Sequence, residues 1–408
     1  MKKRKENMVI QSNQSMSISL TSDEFVENPY PFYDRMRSIH PVYQVKSFKY
    51  PGWYVTGYEE AKEILLDTRF QNRIPLPSAT KKYGHLKDIQ NNMLLFKNQL
   101  DHRRIRGIVG KAFTPKKIEE YRPFMIETVN DLIHQAETER KMDIISGFAF
   151  PLASLIIAKI LGVPATERYQ FREWSARLVQ TIDFTRTRRV LESGNEWTAK
   201  LLAFFKRLIK ERQSRPQNDF ISLLVKEEQQ ESKLTEEELL ATCILLVIAG
   251  HETTVNLISN SILALSNHPG QFIMLKEKPE LIETAVEEFL RYESPTQMTA
   301  RIASEDLQIN GATIKKGEHV YIFLGAANRD SNKFDRPHVL DITRNPNPHL
   351  AFGHGVHFCL GASLARIETQ IAISGLLQRI PDFKIAVDDL QWRKLVGFRS
   401  LKELPIIF

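Results

Sequence analysis

Apolar residues recur at three- and four-residue spacing through most of the chain. That period puts them on one helix face and predicts helices over Glu59–Leu66, Pro115–Ala136, Pro151–Leu161, Glu167–Thr181, Asn195–Arg212 and Asp219–Glu228. Two start signals stand out: Thr114 before Pro115, and Thr235 before Glu236, Glu237 and Glu238. Each pairs a hydroxyl able to accept from orphaned backbone N–H groups with residues suited to a first turn. Strand-like pieces are few: Gly52–Thr56, Leu307–Ile309, Thr313–Ile314 and His319–Leu324. Asn310-Gly311, between the middle two, supplies the positive φ of a tight hairpin turn. Residues 1–20 are polar and read as a disordered basic tail, and from Asn28 onward no linker or internal repeat appears. The expectation is a mainly α fold: one large helical domain over residues 21–408 with small β-sheets, not an alternating βαβ chain.

Composition narrows the class. With 408 residues, 42% hydrophobic and 26% charged, the chain is outside the collagenous, disordered and low-complexity classes and has enough core to enclose a cofactor. Two cysteines, Cys243 and Cys359, make no disulfide framework and point to a reducing compartment. The longest apolar run, Cys243–Ala249, is far short of the roughly 20 residues of a membrane span. The basic N-terminus has no apolar stretch behind it, so neither signal peptide nor anchor is expected and the location is read as cytoplasmic. Net charge is +7, much of it from Lys2, Lys3, Arg4 and Lys5. No basic face with interleaved aromatics indicates nucleic acid. One acid-free stretch, His102 to Lys117, holds Arg103, Arg104, Arg106, Lys111, Lys116 and Lys117; it reads as a solvated helix face or as a dock for an acidic partner.

Four constellations carry candidate chemistry. AFGHGVHFCLGASLAR, residues 351–366, reads as a glycine-loosened loop that delivers Cys359 to the start of a helix over Leu360–Gln378. The helix dipole and nearby N–H groups there favour thiolate, the form that ligates iron. Gly355 and Gly361 leave out Cβ atoms where backbone would pass a flat ligand. TCILLVIAGHETTVNLISN, residues 242–260, is apolar on nearly all sides yet contains Gly250, His251, Glu252, Thr253 and Thr254. A glycine in a helix interior costs about 1 kcal/mol against alanine, and a buried carboxylate needs partners, so the stretch reads as functional. Glu288 and Arg291 sit three apart in AVEEFLRYESP, the spacing of a helix-face ion pair. His102 and Arg106, four apart, share another helix face.

Phe352, Gly355, His357, Cys359 and Gly361 match the haem-binding signature of the cytochrome P450 family, and on these residues the chain resembles that family from about residue 25 to the end. The resemblance implies a P450-type helical domain with haem b (iron protoporphyrin IX) buried between the central helix and the Cys359 loop. Cys359 would be the iron ligand, with Phe352, His357 and Gly361 in the cofactor loop. His102, Arg106 and Arg301 would meet the haem propionates and Gly250 would open room over the ring. Glu252 and Thr253 would be the acid–alcohol pair that delivers protons to dioxygen, Glu standing where the family often has Asp. Glu288 and Arg291 would form a structural triad completed by Arg336. Electrons would come from NAD(P)H through a ferredoxin or flavodoxin and its reductase, since no GxGxxG-headed helix or iron–sulfur cysteine set is present. KYPGWYVTGYEE, FAFPLAS, TIDFTR and YESPTQMTAR are similar to biotin-pathway members of the family. That likeness implies a monooxygenase acting on a fatty acid or fatty acyl chain, alone or on an acyl carrier protein, with in-chain hydroxylation and C–C cleavage towards a pimelate unit. A bulky polyketide, macrolide, statin-like lactone or terpenoid is the alternative substrate, and a non-catalytic haem sensor a distant one. Substrate contacts are expected in residues 69–96, 171–195 and 295–300, with Arg186, Arg188 and Arg189 as candidate carboxylate holders and Met93, Leu94, Leu95, Phe96, Phe184 and Met298 as candidate apolar lining. A monomer without membrane or nucleic-acid contacts completes the expectation.

Overall fold

The longest element is a helix over Glu236–Asn267, 32 residues and about 48 Å at 1.5 Å per residue. Thr235 starts it with a capping box: its hydroxyl accepts from the Glu238 N–H at 3.2 Å, and the Glu238 carboxylate accepts from the Thr235 N–H at 3.1 Å. Arg104 clamps the same carboxylate with two bonds of 2.6 and 2.8 Å. The computed structural model describes residues 19–46, 50–72, 76, 82–168, 174, 178–229 and 234–408. The tail read as disordered therefore lies almost wholly outside the described residues.

Around the central helix pack the helices Gly84–Asn92, Phe150–Leu161, Arg188–Ser214 and Ala362–Arg379. Their apolar faces merge with it into the largest core cluster. Two helical stretches, Ile144–Leu161 and Glu236–Asn267, are long and apolar enough to cross a membrane by composition alone. Their apolar windows are 67% and 78% buried inside the protein, as core helices are.

The main sheet has the order β1 (Val42–Val45), β2 (Gly52–Val55), β8 (His319–Phe323), β5 (Met298–Ala303), β3 (Phe70–Asn72). The β2–β8 pairing is parallel and the others antiparallel. A second sheet joins β4 (Lys141–Asp143), β10 (Pro405–Ile407) and β9 (Lys384–Ile385). β6 (Leu307–Ile309) and β7 (Ala312–Ile314) form the expected hairpin, with Asn310 at φ 43° and Gly311 at φ 76°.

One helix expectation changes. Pro115–Ala136 divides into Pro115–Glu119 and Arg122–Glu137, because Pro123 lacks the N–H that would continue the first helix and its ring needs the carbonyl side cleared. Of the helix expected over Glu167–Thr181, Arg168 and Trp174 are helical and Val179–Thr181 forms a 3-10 turn, and residues 169–173 and 175–177 lie outside the described residues.

The triad also changes. Glu288 and Arg291 are both fully buried and paired through two bonds of 2.7 and 2.8 Å. The third cation is Arg344, whose Nε lies 3.2 Å from Glu288 Oε2, and not Arg336, which is exposed and pairs with Asp335. The FDRP turn contributes backbone instead: Pro337 O accepts from Arg291, and Arg336 stands at φ 42°. Asp341 N–H and Asn347 Nδ2 add bonds of 2.9 and 3.0 Å to Glu288. Arg291 also reaches Asn328 O and Val339 O, so every charge in the cluster is hydrogen-bonded. Replacing Arg344 with Ala is expected to cost about 2–4 kcal/mol, as removal of one partner from a buried ion cluster does, while Arg336→Ala stays within about 0.5 kcal/mol. Thermal unfolding of the two variants side by side checks this.

Candidate active site

Between Glu238 and Ile262 every residue of the central helix is buried except Ala249, Gly250 and Thr253. Those three share one helix face, so the apolar helix opens on a single patch in its middle. Thr253 Oγ1 donates to Ala249 O at 2.9 Å within that patch. At Gly250 a Cβ would lie 2.4 Å from Ile157 Cδ1, so its missing side chain admits the Phe150–Leu161 helix. Glu252 turns off the open patch, and its carboxylate is bonded by Arg393 and, at 3.1 Å, by the Ser400 hydroxyl.

Cys359 ends a tight loop. Its N–H donates to Phe352 O at 2.9 Å, and Gly361 caps the Ala362–Arg379 helix just beyond. Cys359 is exposed as a residue, although protein crowds round its thiol. That enclosure pushes the thiol up from its usual range, against the pull of the Gly361 N–H and the Arg106 and Arg366 guanidiniums. Gly355 is required by the loop itself: φ is 72°, and a Cβ would meet Leu65 O at 2.6 Å. At Gly361 a Cβ would meet nothing within 4 Å, so this glycine borders open space. The Phe352 ring lies under the Arg366 guanidinium and against Phe358.

His102, Arg106, Arg301 and His357 come together from three separate parts of the chain. The His102 and His357 rings touch with centroids 4.0 Å apart. Arg106 donates to Phe358 O at 2.6 Å and feels the Cys359 charge. Burial, then the neighbouring His102, Arg301 and Arg106, pull His357 down to about 3. Burial and Arg106 pull His102 down to about 4. Arg301, on β5, is 6% exposed, and burial lowers it to about 10. Its recorded bonds go to Thr299 Oγ1 and Ala300 O, with no carboxylate among them. Nε2 of His102 is buried without a partner. A buried guanidinium and two imidazoles held neutral chiefly by burial form a cradle short of negative charge, and two haem propionates have the charge and acceptor atoms it lacks.

Two further residues escaped the sequence reading. Asn72 Nδ2 lies 3.0 Å from His357 Nε2 and also bonds Lys97 O, fixing the imidazole from β3. Nothing in its local sequence marks it, since a partner 285 residues away is invisible to spacing. Glu368, one turn into the Ala362–Arg379 helix beyond Leu364, is 1% exposed with neither carboxylate oxygen partnered. Its own helix face was the available signal, an acid among buried positions.

The cytochrome P450 family profile matches residues 19–392. The chain belongs to the cytochrome P450 family. It is 57% identical to the biotin biosynthesis cytochrome P450 of Bacillus subtilis over 394 residues, 97% of this chain and 100% of that protein. To the polyketide biosynthesis cytochrome P450 PksS of the same organism it is 41% identical, covering 94% of this chain and 96% of that one. Among solved structures it is similar to P450BioI in complex with hexadec-9Z-enoic acid ligated acyl carrier protein. That match has a TM-score of 0.91 and 58% identity over 95% of this chain and 100% of that chain. These are P450 enzymes, and a P450 of this family is a haem monooxygenase.

Burial pushes the Glu368 carboxyl from 4.5 up to about 8. The folded protein then keeps a proton that the unfolded chain releases above pH 4.5, so stability falls as pH rises from there towards 8. Glu368→Gln removes that slope: its melting temperature is expected to hold between pH 5 and 8 where the parent's declines.

Proposed function

We propose that this P450 is a haem-thiolate monooxygenase that oxidises a long acyl chain, carried free or on an acyl carrier protein. The observation that carries the chemistry is the cradle of His102, Arg106, Arg301 and His357 beside the exposed Cys359, with no carboxylate bonded to it among the described residues. Cys359 would hold the iron, and His102, Arg106, Arg301 and His357 would hold the propionates. Bound there, haem supplies dioxygen activation and transfer of one oxygen atom to a C–H bond.

The protein's own part is proton handling and exclusion of water. Burial works against the ionised sulfur, and Gly361 N–H, Arg106 and Arg366 partly offset it. Thr253 offers a hydroxyl on the open patch of the central helix, where it can pass a proton while its own hydrogen bond holds it to Ala249 O. Glu252, next in the chain, is the acid that would recharge that hydroxyl. The rest of the helix, buried in apolar packing, keeps bulk solvent from both.

The acyl reading is supported by likeness along the whole chain to a biotin-pathway enzyme whose relative was solved with a fatty acyl carrier protein. Chain cleavage towards pimelate belongs to the same reading. A bulky secondary metabolite is the second reading, favoured by the 41% identity to the polyketide enzyme. Met93 and Met298 are buried as a greasy lining requires, whereas Leu95 is exposed. Arg188 is spent on Glu192, and Arg186 is the half-buried cation of its stretch, lowered by burial beside Asp183.

Electrons are proposed to arrive from NAD(P)H through a ferredoxin or flavodoxin. The basic stretch offers less surface for that than its sequence suggests. Arg104 is tied to Glu238, Lys111 to Glu227 and Lys117 to Glu120, which leaves Arg103 and Lys116 as exposed cations with no recorded acid partner among the described residues. A cytoplasmic, monomeric enzyme without nucleic-acid partners fits two unpaired cysteines and this modest charge.

Titration of the ferric protein with fatty acids of graded chain length, followed at the Soret band, tests the substrate. A saturable low-to-high-spin shift is the expected result; no shift at any length, nor with acyl carrier protein thioesters, would move the assignment to lactones and polyketides. Thr253→Ala is expected to keep haem and substrate spectra while product per electron falls about tenfold or more and peroxide rises. Unchanged coupling would remove Thr253 from the relay.

A further inference from the structure

The acid assigned to the relay does not point at the alcohol. Successive residues on an α-helix diverge by about 100°, so with Thr253 on the open patch Glu252 projects to the side. There its Oε1 receives both the Arg393 guanidinium and the Ser400 hydroxyl, and Arg393 Nη1 also lies 3.3 Å from Ser400 Oγ. Among the described residues the charged group in contact with Glu252 is Arg393. The Glu252 side chain is 9% exposed and the Arg393 side chain 25%, so this ion pair is screened far less than a surface pair.

Arg393 and Ser400 stand opposite one another at the base of a C-terminal hairpin. The Arg393 N–H donates to Ser400 O at 2.8 Å, and Trp392 bridges to Leu401. The far end is anchored as well: Gly397 N–H donates to the buried Asp183 at 2.9 Å, and Gln297 N–H donates to Gly397 O. Phe398 bridges Thr296, and Thr185 Oγ1 donates to Lys394 O at 3.3 Å. A long arginine side chain ordinarily costs entropy to hold in one place. Here the backbone beneath it is fixed at both ends, so the cation meets a carboxylate across 141 residues of sequence at a defined point.

We propose that Arg393, assisted by Ser400, is the positioning residue for the proton-relay acid: it holds the Glu252 carboxylate in one orientation, to the side of Thr253. This rests on the reading of Glu252 and Thr253 as the relay. Without Arg393 the buried carboxylate loses its counter-charge and the bond that orients it.

The test uses the haem-loaded protein and the variants Glu252→Gln, Arg393→Met, Arg393→Lys and the Arg393→Met/Glu252→Gln pair. The carbon monoxide difference spectrum and the substrate-induced spin shift report an intact fold and pocket, and both are expected at parental values. With a surrogate ferredoxin system, Arg393→Met is expected to lower the product-to-peroxide ratio about tenfold and to change the solvent deuterium isotope effect. Arg393→Lys, which keeps a cation without the fork, is expected to restore part of it. Away from turnover, the infrared carboxylate band lost in Glu252→Gln should move in Arg393→Met. In the Glu252→Gln background the Arg393→Met change should add nothing. An Arg393→Met ratio at the parental value, or an effect that persists undiminished without Glu252, overturns the proposal. If Glu252→Gln leaves ratio and isotope effect unaltered, the relay reading fails instead. Should Arg393→Met not fold, Arg393→Lys and Ser400→Ala must move the same ratio and band in the same direction by less; no movement in either overturns the proposal.

Discussion

Burial of one long apolar helix is the constraint around which the rest is arranged. The Glu236–Asn267 helix cannot face water over most of its length, so helices from both halves of the chain pack on it. The exception is the patch of Ala249, Gly250 and Thr253. A helix buried at every other position between Glu238 and Ile262 and bare over three residues in its middle offers a place where a large flat cofactor and its substrate can be accommodated. Gly250 also lets Ile157 approach the helix closely.

Buried arginines separate structure from function here. Arg291 is matched: Glu288 and three backbone carbonyls account for its donors, and Arg344 and Asn347 share the carboxylate. Such a cluster locks elements together and asks for nothing more. Arg301 is buried almost as deeply and bonds no acid among the described residues, and its neighbours His102 and His357 are driven neutral by burial and by nearby cations. A site that is electrostatically incomplete without an anion is one built to receive it. The same contrast applies on the basic stretch after His102. Arg104 and Lys111 hold the central helix and the Phe220–Glu228 helix through Glu238 and Glu227, so cations that read as a docking face are largely structural.

The chain's local chemistry was enough to place much of this. Helical period, the Thr235 capping box, the Asn310-Gly311 turn and the glycine-loosened Cys359 loop all depend on neighbours within a few residues, and each appears where its pattern puts it. β5 was not legible, because the buried Arg301 interrupts the apolar alternation that marks a strand, and it interrupts it for the sake of the site. The split after Glu119 was written in Pro123, a breaker inside an otherwise regular helical pattern.

Which partner each charge takes across the fold had no local signature. Arg336 and Arg344 lie eight residues apart in the same loop, and both carry a cation that could complete the Glu288 pair. The turn at Arg336, with its positive φ, directs that side chain to solvent and brings Arg344 inward. Glu252 could equally have faced Thr253 or turned away, and the C-terminal hairpin settled it by presenting Arg393 and Ser400. Asn72 became part of the site through a contact 285 residues away. Hydrophobic period and caps are short-range and survive in the one-dimensional string; ion pairs and cradles exist only once packing has brought distant segments within hydrogen-bonding reach and removed the water between them.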